Sequence, residues 1–118
     1  MNPKELQERT VQFAVRVLKL TDALPKTASG RTIASQVARS GCSVAANYRA
    51  ALRGKSRPDF INKITIVLEE ADETGFWIEL VERADLLPSK RLQGLRDEAE
   101  QLTKIFNATR TTARNRKS

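Results

Sequence analysis

The sequence predicts an all-α protein, an up-down-up-down antiparallel bundle of four helices. Three observations support this prediction. Apolar residues recur at intervals of three and four over four long stretches, which is the spacing of one face of an α-helix. Each stretch is bounded by proline, glycine or a capping residue, and turns of about five residues join them. The alternation of apolar and polar residues that is typical of β-strands is absent from the sequence.

The first helix is predicted to begin after Asn2 and to end at Pro25. Asn2 can cap the helix, Pro3 suits its first turn, and Glu5 is placed to complete a capping box. Proline at position 25 then stops the helix and opens a short polar turn. The apolar stripe of this helix consists of Leu6, Phe13, Val17, Leu20 and Leu24.

The second helix is predicted to begin near Ser29 or Gly30 and to close at Gly54. Because a glycine inside a helix costs about 1 kcal/mol relative to alanine, Gly41 is expected to have a packing role. Cys42 is expected to be a small side chain in the same packed setting. The apolar side consists of Ile33, Val37, Val44, Tyr48 and Leu52, and a narrow column of small residues beside it consists of Ala34, Ala38, Gly41 and Ala45.

The third helix is predicted to start at Ser56, which with Asp59 forms the S-x-x-D pattern of a capping box, with Pro58 in the first turn. Its main apolar face consists of Phe60, Ile64, Val67, Leu68, Ala71, Gly75 and Ile78. A second apolar stripe is interrupted by two glutamates. Two apolar faces in so short a chain predict self-association, with the glutamates meeting Arg or Lys of a neighbouring subunit. The predicted oligomer interface consists of Ile66, Glu70, Glu73, Trp77, Leu80 and Val81.

Ser89 is predicted to cap the fourth helix, after a turn that contains Pro88. The apolar seam continues through Leu92, Leu95, Ala99, Leu102, Phe106, Thr109 and Ala113. The length of 118 residues is that of one domain with one core. Residues 1–113 are therefore interpreted as a single four-helix bundle domain, and residues 114–118 as a basic C-terminal tail.

The net charge of +7 arises from 21 Lys and Arg residues against 14 Asp and Glu residues, and it is unevenly distributed. Residues 1–57 carry 11 basic and 3 acidic residues, whereas residues 58–106 carry 6 basic and 11 acidic residues. The excess favours anionic partners, nucleic acid above all, although it also serves simple solubility. Opposite charges can meet on neighbouring helices or on neighbouring copies of the chain.

A basic stripe on the second helix is the candidate nucleic-acid-binding surface. The planar fork of arginine can donate two hydrogen bonds to one phosphate. Aromatic residues do not alternate with these cations, so contact with the backbone of RNA or DNA is predicted rather than stacking on bases. A solvated charged face is the plainer alternative. The predicted binding residues are Arg31, Arg39, Arg49 and Arg53, which fall within an arc of about 80° on a helical wheel, and Lys55 and Arg57, which extend the stripe.

The residue types needed for most catalytic and metal sites are missing. The chain has no histidine and only one cysteine, which excludes histidine-based triads and Cys/His zinc sites. An acidic cluster, Glu69, Glu70, Asp72 and Glu73, places carboxylates on one helix face, but di-iron bundles normally add Glu-x-x-His pairs. We therefore expect no enzymatic activity, no cofactor and no metal. The lone cysteine, with no long apolar run and no signal-peptide h-region, predicts a cytoplasmic protein without a membrane partner.

The central segment, residues 43–80, resembles bacterial four-helix bundle proteins often called ribosomal-RNA intervening-sequence proteins. That family shows a Ser-Ile/Val-x-x-Asn segment, then a serine and a phenylalanine at a helix start, then an acidic stretch before an aromatic residue and Glu-Leu. Ala50 and Ala51 stand where many members carry Glu-Gly. The matching residues here are Ser43, Val44 and Asn47, then Ser56 and Phe60, then Glu69, Glu70, Ala71, Asp72, Glu73, Thr74, Trp77, Glu79 and Leu80.

The resemblance implies a bundle that assembles as a homopentamer. It also implies a fold similar to the accessory variability proteins of diversity-generating retroelements, basic pentamers that work with a reverse transcriptase and nucleic acid. The leading hypothesis is a bacterial, non-enzymatic oligomeric scaffold that binds RNA or DNA backbone through its basic surface. The alternative is a protein–protein adapter for an acidic partner such as a polymerase or reverse transcriptase. A third hypothesis is an enzyme that uses the acidic cluster with a metal.

Overall fold

The computed structural model describes residues 1–116, which form four α-helices. The helices are α1 (Pro3–Ala23), α2 (Ala28–Leu52), α3 (Arg57–Arg83) and α4 (Ser89–Asn115). Short turns join each helix to the next, which gives the up-down order of the bundle. α3 packs against both α2 and α4, α1 packs against α2, and α1 and α4 meet over the smallest contact. The predicted all-α, four-helix fold is confirmed.

The ends of α1, α2 and α3 follow capping signals in the local sequence. Asn2 Oδ1 accepts a hydrogen bond from Glu5 N at 2.8 Å, and Glu5 Oε1 accepts one from Asn2 N at 3.0 Å, so the predicted capping box is present. Ser56 Oγ accepts from Asp59 N at 3.2 Å at the start of α3. α2 begins slightly earlier than predicted because Thr27 is its N-cap residue.

α4 begins and ends differently from the prediction. Pro88 is its N-cap residue and makes no side-chain hydrogen bond, so Ser89, the predicted cap, is instead the first helical residue. The helix continues through Arg114 to Asn115, so the first two residues of the predicted 114–118 tail are helical. Residues 117 and 118, at the end of that tail, lie outside the described residues.

The core runs along the whole bundle and consists mainly of the predicted apolar stripes. Tyr48 packs edge-on against Phe106 with ring centroids 5.1 Å apart, and burial raises the pKa of Tyr48. Leu52, predicted on the core side of α2, is 37% exposed, whereas its neighbour Ala51 is buried. The largest fully buried side chains are Phe13, Phe106, Ile64, Ile78, Leu92 and Leu102. Over residues 1–116, no helix has a stretch apolar enough to span a lipid bilayer.

Small residues bring α2 close to both of its neighbours. A Cβ atom built at Gly41 would lie 2.6 Å from Val17 Cγ1 of α1, so the packing role predicted for this glycine is confirmed. Cys42 beside it is half-buried. On the α3 side, the hydroxyl oxygens of Ser40 and Thr74 are buried and lie 2.9 Å apart.

Candidate nucleic-acid interface

All six predicted nucleic-acid-binding residues are exposed, and five of them form no ion pair with another residue in 1–116. We call these five the α2 cation row: Arg31, Arg49, Arg53, Lys55 and Arg57. Arg31 and Arg49 lie on one face of α2, separated by five turns or about 27 Å along the axis. The other four members, Arg49, Arg53, Lys55 and Arg57, are therefore concentrated at the C-terminal end of α2 and in the turn that follows it, and Arg31 stands apart at the start of the helix.

The C-terminal end of the α2 cation row occupies the turn between α2 and α3. Arg53 is the C-cap residue of α2, and Arg57 is the first residue of α3. The carboxylate of Asp59 is directed toward the backbone of this turn, where its Oδ2 accepts a hydrogen bond from Lys55 N at 3.4 Å. The cationic side chains of the turn are therefore left without an anionic partner in the described chain.

Arg39, the sixth predicted residue, is engaged by α3 of the same chain. Its Nη1 lies 3.1 Å from Glu70 Oε2, and its Nη2 contacts Glu73. The indole nitrogen of Trp77 donates a hydrogen bond to Glu73 Oε2 at 2.9 Å. These four side chains, the Arg39 cluster, link α2 to α3. To bind a phosphate, Arg39 would have to leave two carboxylates, so it does not belong with the α2 cation row.

The Arg39 cluster also corrects the role predicted for the two glutamates. Glu70 and Glu73 were predicted to pair with cations of a neighbouring subunit, but in the structure both pair with Arg39 of their own chain. A helical wheel gives the angle of Arg39 on α2 and does not say which neighbouring helix that angle faces. Of the remaining acidic cluster, Glu69 and Asp72 are exposed. Within residues 1–116, no group of His, Cys, Asp and Glu side chains is arranged to hold a metal ion.

The apolar residues of the predicted oligomer interface differ widely in exposure. Val81 is fully buried in the core of its own chain, so its assignment to an exposed stripe is wrong. Trp77 and Leu80 are half-buried and pack against that core. Ile66 remains 36% exposed. Phe76 is also exposed on α3, at 51%, and its ring packs edge-on against Trp77. It belongs to neither predicted stripe.

An exposed apolar row on α1 was not recognised in the sequence. Val11, Val15 and Leu18 are 41%, 39% and 46% exposed. Their spacing of four and three residues places them on one face of α1, away from the core stripe. The same periodicity that identified the core stripe would have revealed this second row, because both have helical spacing.

Comparison with known proteins extends over most of the chain. A family model described as 23S rRNA-intervening sequence protein matches residues 4–108. The fold is similar to the crystal structure of a protein of unknown function from the S23 ribosomal protein family of Bacteroides thetaiotaomicron, with a TM-score of 0.84. The two sequences are 32% identical, and the match covers 90% of this chain and 98% of the other. A search of curated proteins finds no match.

Proposed function

Because the chain belongs to the 23S rRNA-intervening sequence protein family, we propose that it is a cytoplasmic, non-enzymatic oligomeric scaffold that binds the backbone of a nucleic acid. The observation that carries this proposal is the α2 cation row, whose five side chains are exposed and free of ion pairs within residues 1–116. The family description refers to ribosomal RNA, which makes RNA the first ligand to test.

The chemistry of the α2 cation row suits phosphodiesters. Four of its five members are arginines, whose planar guanidinium groups can donate paired hydrogen bonds to phosphate oxygens. Four of the members lie at the end of α2 and in the following turn, so these four can contact neighbouring phosphates of one strand. Each phosphate that is neutralised releases counterions, and binding of this type weakens steeply as salt is added.

The test compares RNA binding by the parent protein and by an Arg49→Gln, Arg53→Gln double variant over a range of salt concentrations. Loss of two phosphate contacts should reduce the magnitude of the slope of log affinity against log salt by about 1.4 to 1.8 and weaken binding at low salt. The matched control is Arg83→Gln with Lys104→Gln, which removes two exposed cations outside α2 that pair within their own helices, Arg83 with Glu79 in α3 and Lys104 with Glu100 in α4. An equal loss of affinity in the control would contradict the assignment of the row.

Assembly as a homopentamer, which the family resemblance implies, forms part of this proposal. Exposed apolar residues on two helices support it: Val11, Val15 and Leu18 on α1, and Ile66 and Phe76 on α3. Apolar rows of this kind are commonly covered by a partner. In an oligomer the α2 cation row is repeated on every copy, so weak phosphate contacts add through multivalency.

The second candidate function is a protein–protein adapter for an acidic partner, such as a polymerase or reverse transcriptase. The exposed apolar row on α1 favours it, since α1 packs against the helix that carries the cation row and an acidic protein could contact both. Capture of partners from a bacterial extract with and without nuclease separates the two functions. A partner retained after nuclease treatment supports the adapter, whereas its loss supports binding through nucleic acid.

A further inference from the structure

A pocket between α1 and α4 carries a second concentration of positive charge, at the end of the bundle where α1 finishes and α4 begins. The pocket is open to solvent and has a volume of about 380 Å³. Two cations line it from each helix: Arg16 and Lys19 from α1, and Lys90 and Arg91 from α4. Unlike the α2 cation row, these side chains surround one concave space, so they can act together on one compact ligand.

The four cations of the pocket have no anionic partner in the described chain. None of them forms an ion pair within residues 1–116, and no Asp or Glu is among the residues that line the pocket. The next carboxylates along α4 are already engaged. Asp97 accepts a hydrogen bond from Gln93, and Glu98 is held by Arg9. Four like charges around one cavity repel each other, and an anion bound among them would remove that repulsion.

The walls of the pocket favour a strong interaction between these cations and an anion. Buried Leu20 and Leu95, with half-buried Leu87, form its apolar part. The apolar wall keeps water from one side of a bound anion, which strengthens its attraction to the cations on the solvent-exposed rim. On the α4 side there is no side chain at Gly94, and a Cβ atom there would lie only 3.2 Å from Arg16 Nη2. The glycine thus lets the Arg16 guanidinium approach α4.

We propose that this pocket binds a phosphate group, with the guanidinium groups of Arg16 and Arg91 as paired donors and the ammonium groups of Lys19 and Lys90 as further charges. Four cations match an anion of high charge, such as a diphosphate or a terminal phosphomonoester. A free phosphorylated small molecule and the phosphate of a nucleic-acid strand supply the same chemistry. The site is separate from the α2 cation row.

Calorimetric titration with inorganic diphosphate at low ionic strength tests the site. The parent protein should bind with a dissociation constant below about 1 mM, and Arg16→Gln with Arg91→Gln should weaken binding about tenfold or more. Arg49→Gln with Arg53→Gln removes the same charge from the α2 cation row and should leave diphosphate binding unchanged. Absence of saturable binding to the parent, or an equal loss in the two double variants, would overturn the proposal.

A variant that fills the pocket without removing charge distinguishes binding inside the pocket from general electrostatic attraction. Gly94→Leu keeps all four charges and places a bulky side chain on the exposed wall of the pocket, so it should abolish diphosphate binding while circular dichroism shows an unchanged fold. Undiminished binding to this variant would overturn the proposal. RNA binding by Gly94→Leu should persist through the α2 cation row, so failure of the pocket and failure of the proposed function give different results.

Competition against diphosphate identifies the source of the phosphate. A short RNA that displaces diphosphate only when it carries a 5′-phosphate supports recognition of a strand end. Displacement by the 5′-hydroxyl form as well supports recognition of internal backbone phosphates. If neither RNA competes and diphosphate still binds, the pocket takes a free phosphorylated small molecule.

Discussion

Gly41 of α2 lies so close to Val17 of α1 that a methyl group at position 41 would collide with the valine. A Cβ atom there would lie 2.6, 2.8 and 2.9 Å from three side-chain carbons of Val17. Val17 is fully buried, so its side chain has little room to withdraw. The separation of α1 and α2 therefore depends on glycine at this position.

Replacement of this glycine should destabilise the protein even though alanine is the better helix former. Gly41→Ala should gain about 1 kcal/mol in helix propensity and lose about 2–3 kcal/mol through overpacking, for a net loss of about 1–2 kcal/mol in the free energy of unfolding. Gly75→Ala is the matched control, because a Cβ atom there would lie 3.8 Å from Ala99 Cβ, an ordinary contact. It should stabilise by about 0.5–1 kcal/mol. Denaturant unfolding of both variants measures the difference, and a Gly41→Ala variant as stable as the parent would refute the packing role.

The ion pair between Arg9 and Glu98 should stabilise the α1–α4 contact. Arg9 Nε and Nη2 each lie 2.7 Å from a carboxylate oxygen of Glu98, and both side chains are less than a quarter exposed. The hydrogen bond to Glu98 raises the pKa of Arg9. Breaking the pair should cost about 1 kcal/mol. A double-mutant cycle with Arg9→Met and Glu98→Gln measures the coupling, and additive effects of the two changes would show that the pair contributes nothing.

Arg39 and Arg49 should respond oppositely to removal of their charge. Arg39→Gln breaks the Arg39 cluster and should lower stability by about 0.5 kcal/mol, since the arginine side chain is half exposed. It should leave RNA binding nearly unchanged. Arg49→Gln should weaken RNA binding and leave stability unchanged. Thermal unfolding and RNA titration of both variants provide the comparison, and an equal loss of RNA affinity would return Arg39 to the binding surface.

Assembly should depend on the exposed apolar residues of α1 and α3. Light scattering of the parent should give five times the chain mass of 13.2 kDa if the proposed homopentamer forms. Val15→Ser and Phe76→Ser should each shift the mass toward one chain, because a hydroxyl replaces apolar area in the interface. Gln93→Ser, an exposed polar change on α4, is the control. A parent protein with the mass of one chain would exclude the oligomer.

Local signals allowed most of the fold to be predicted from the sequence. The caps at Asn2 and Ser56 need only residues within one turn, and the structure contains both. The starts of two helices were predicted one or two residues too late. The cap of α2 is Thr27 and the cap of α4 is Pro88. Which of two adjacent residues caps a helix depends on the path of the preceding turn, and single-residue propensities do not specify that path.

Relations between helices were harder to predict. The second apolar stripe of α3 suggested an external interface, but α3 packs against both α2 and α4 and therefore buries a wider arc than a peripheral helix. This accounts for the burial of Val81. The phosphate pocket was missed for a related reason. Its cations lie about seventy residues apart in sequence, in two pairs that only the meeting of α1 and α4 brings together.

The paired hydroxyls of Ser40 and Thr74 bear on how the chain avoids misaligned bundles during folding. Two apolar helices can slide past each other by one turn, about 5.4 Å, and still bury similar side chains. Such a shift would separate the two hydroxyl oxygens and remove the hydrogen bond between α2 and α3, at a cost of about 1 kcal/mol. The bonds from Ser40 to Val37 O and from Thr74 to Glu70 O, each within one helix, would persist. Two small polar atoms thus widen the energy gap between the native alignment and its nearest competitor.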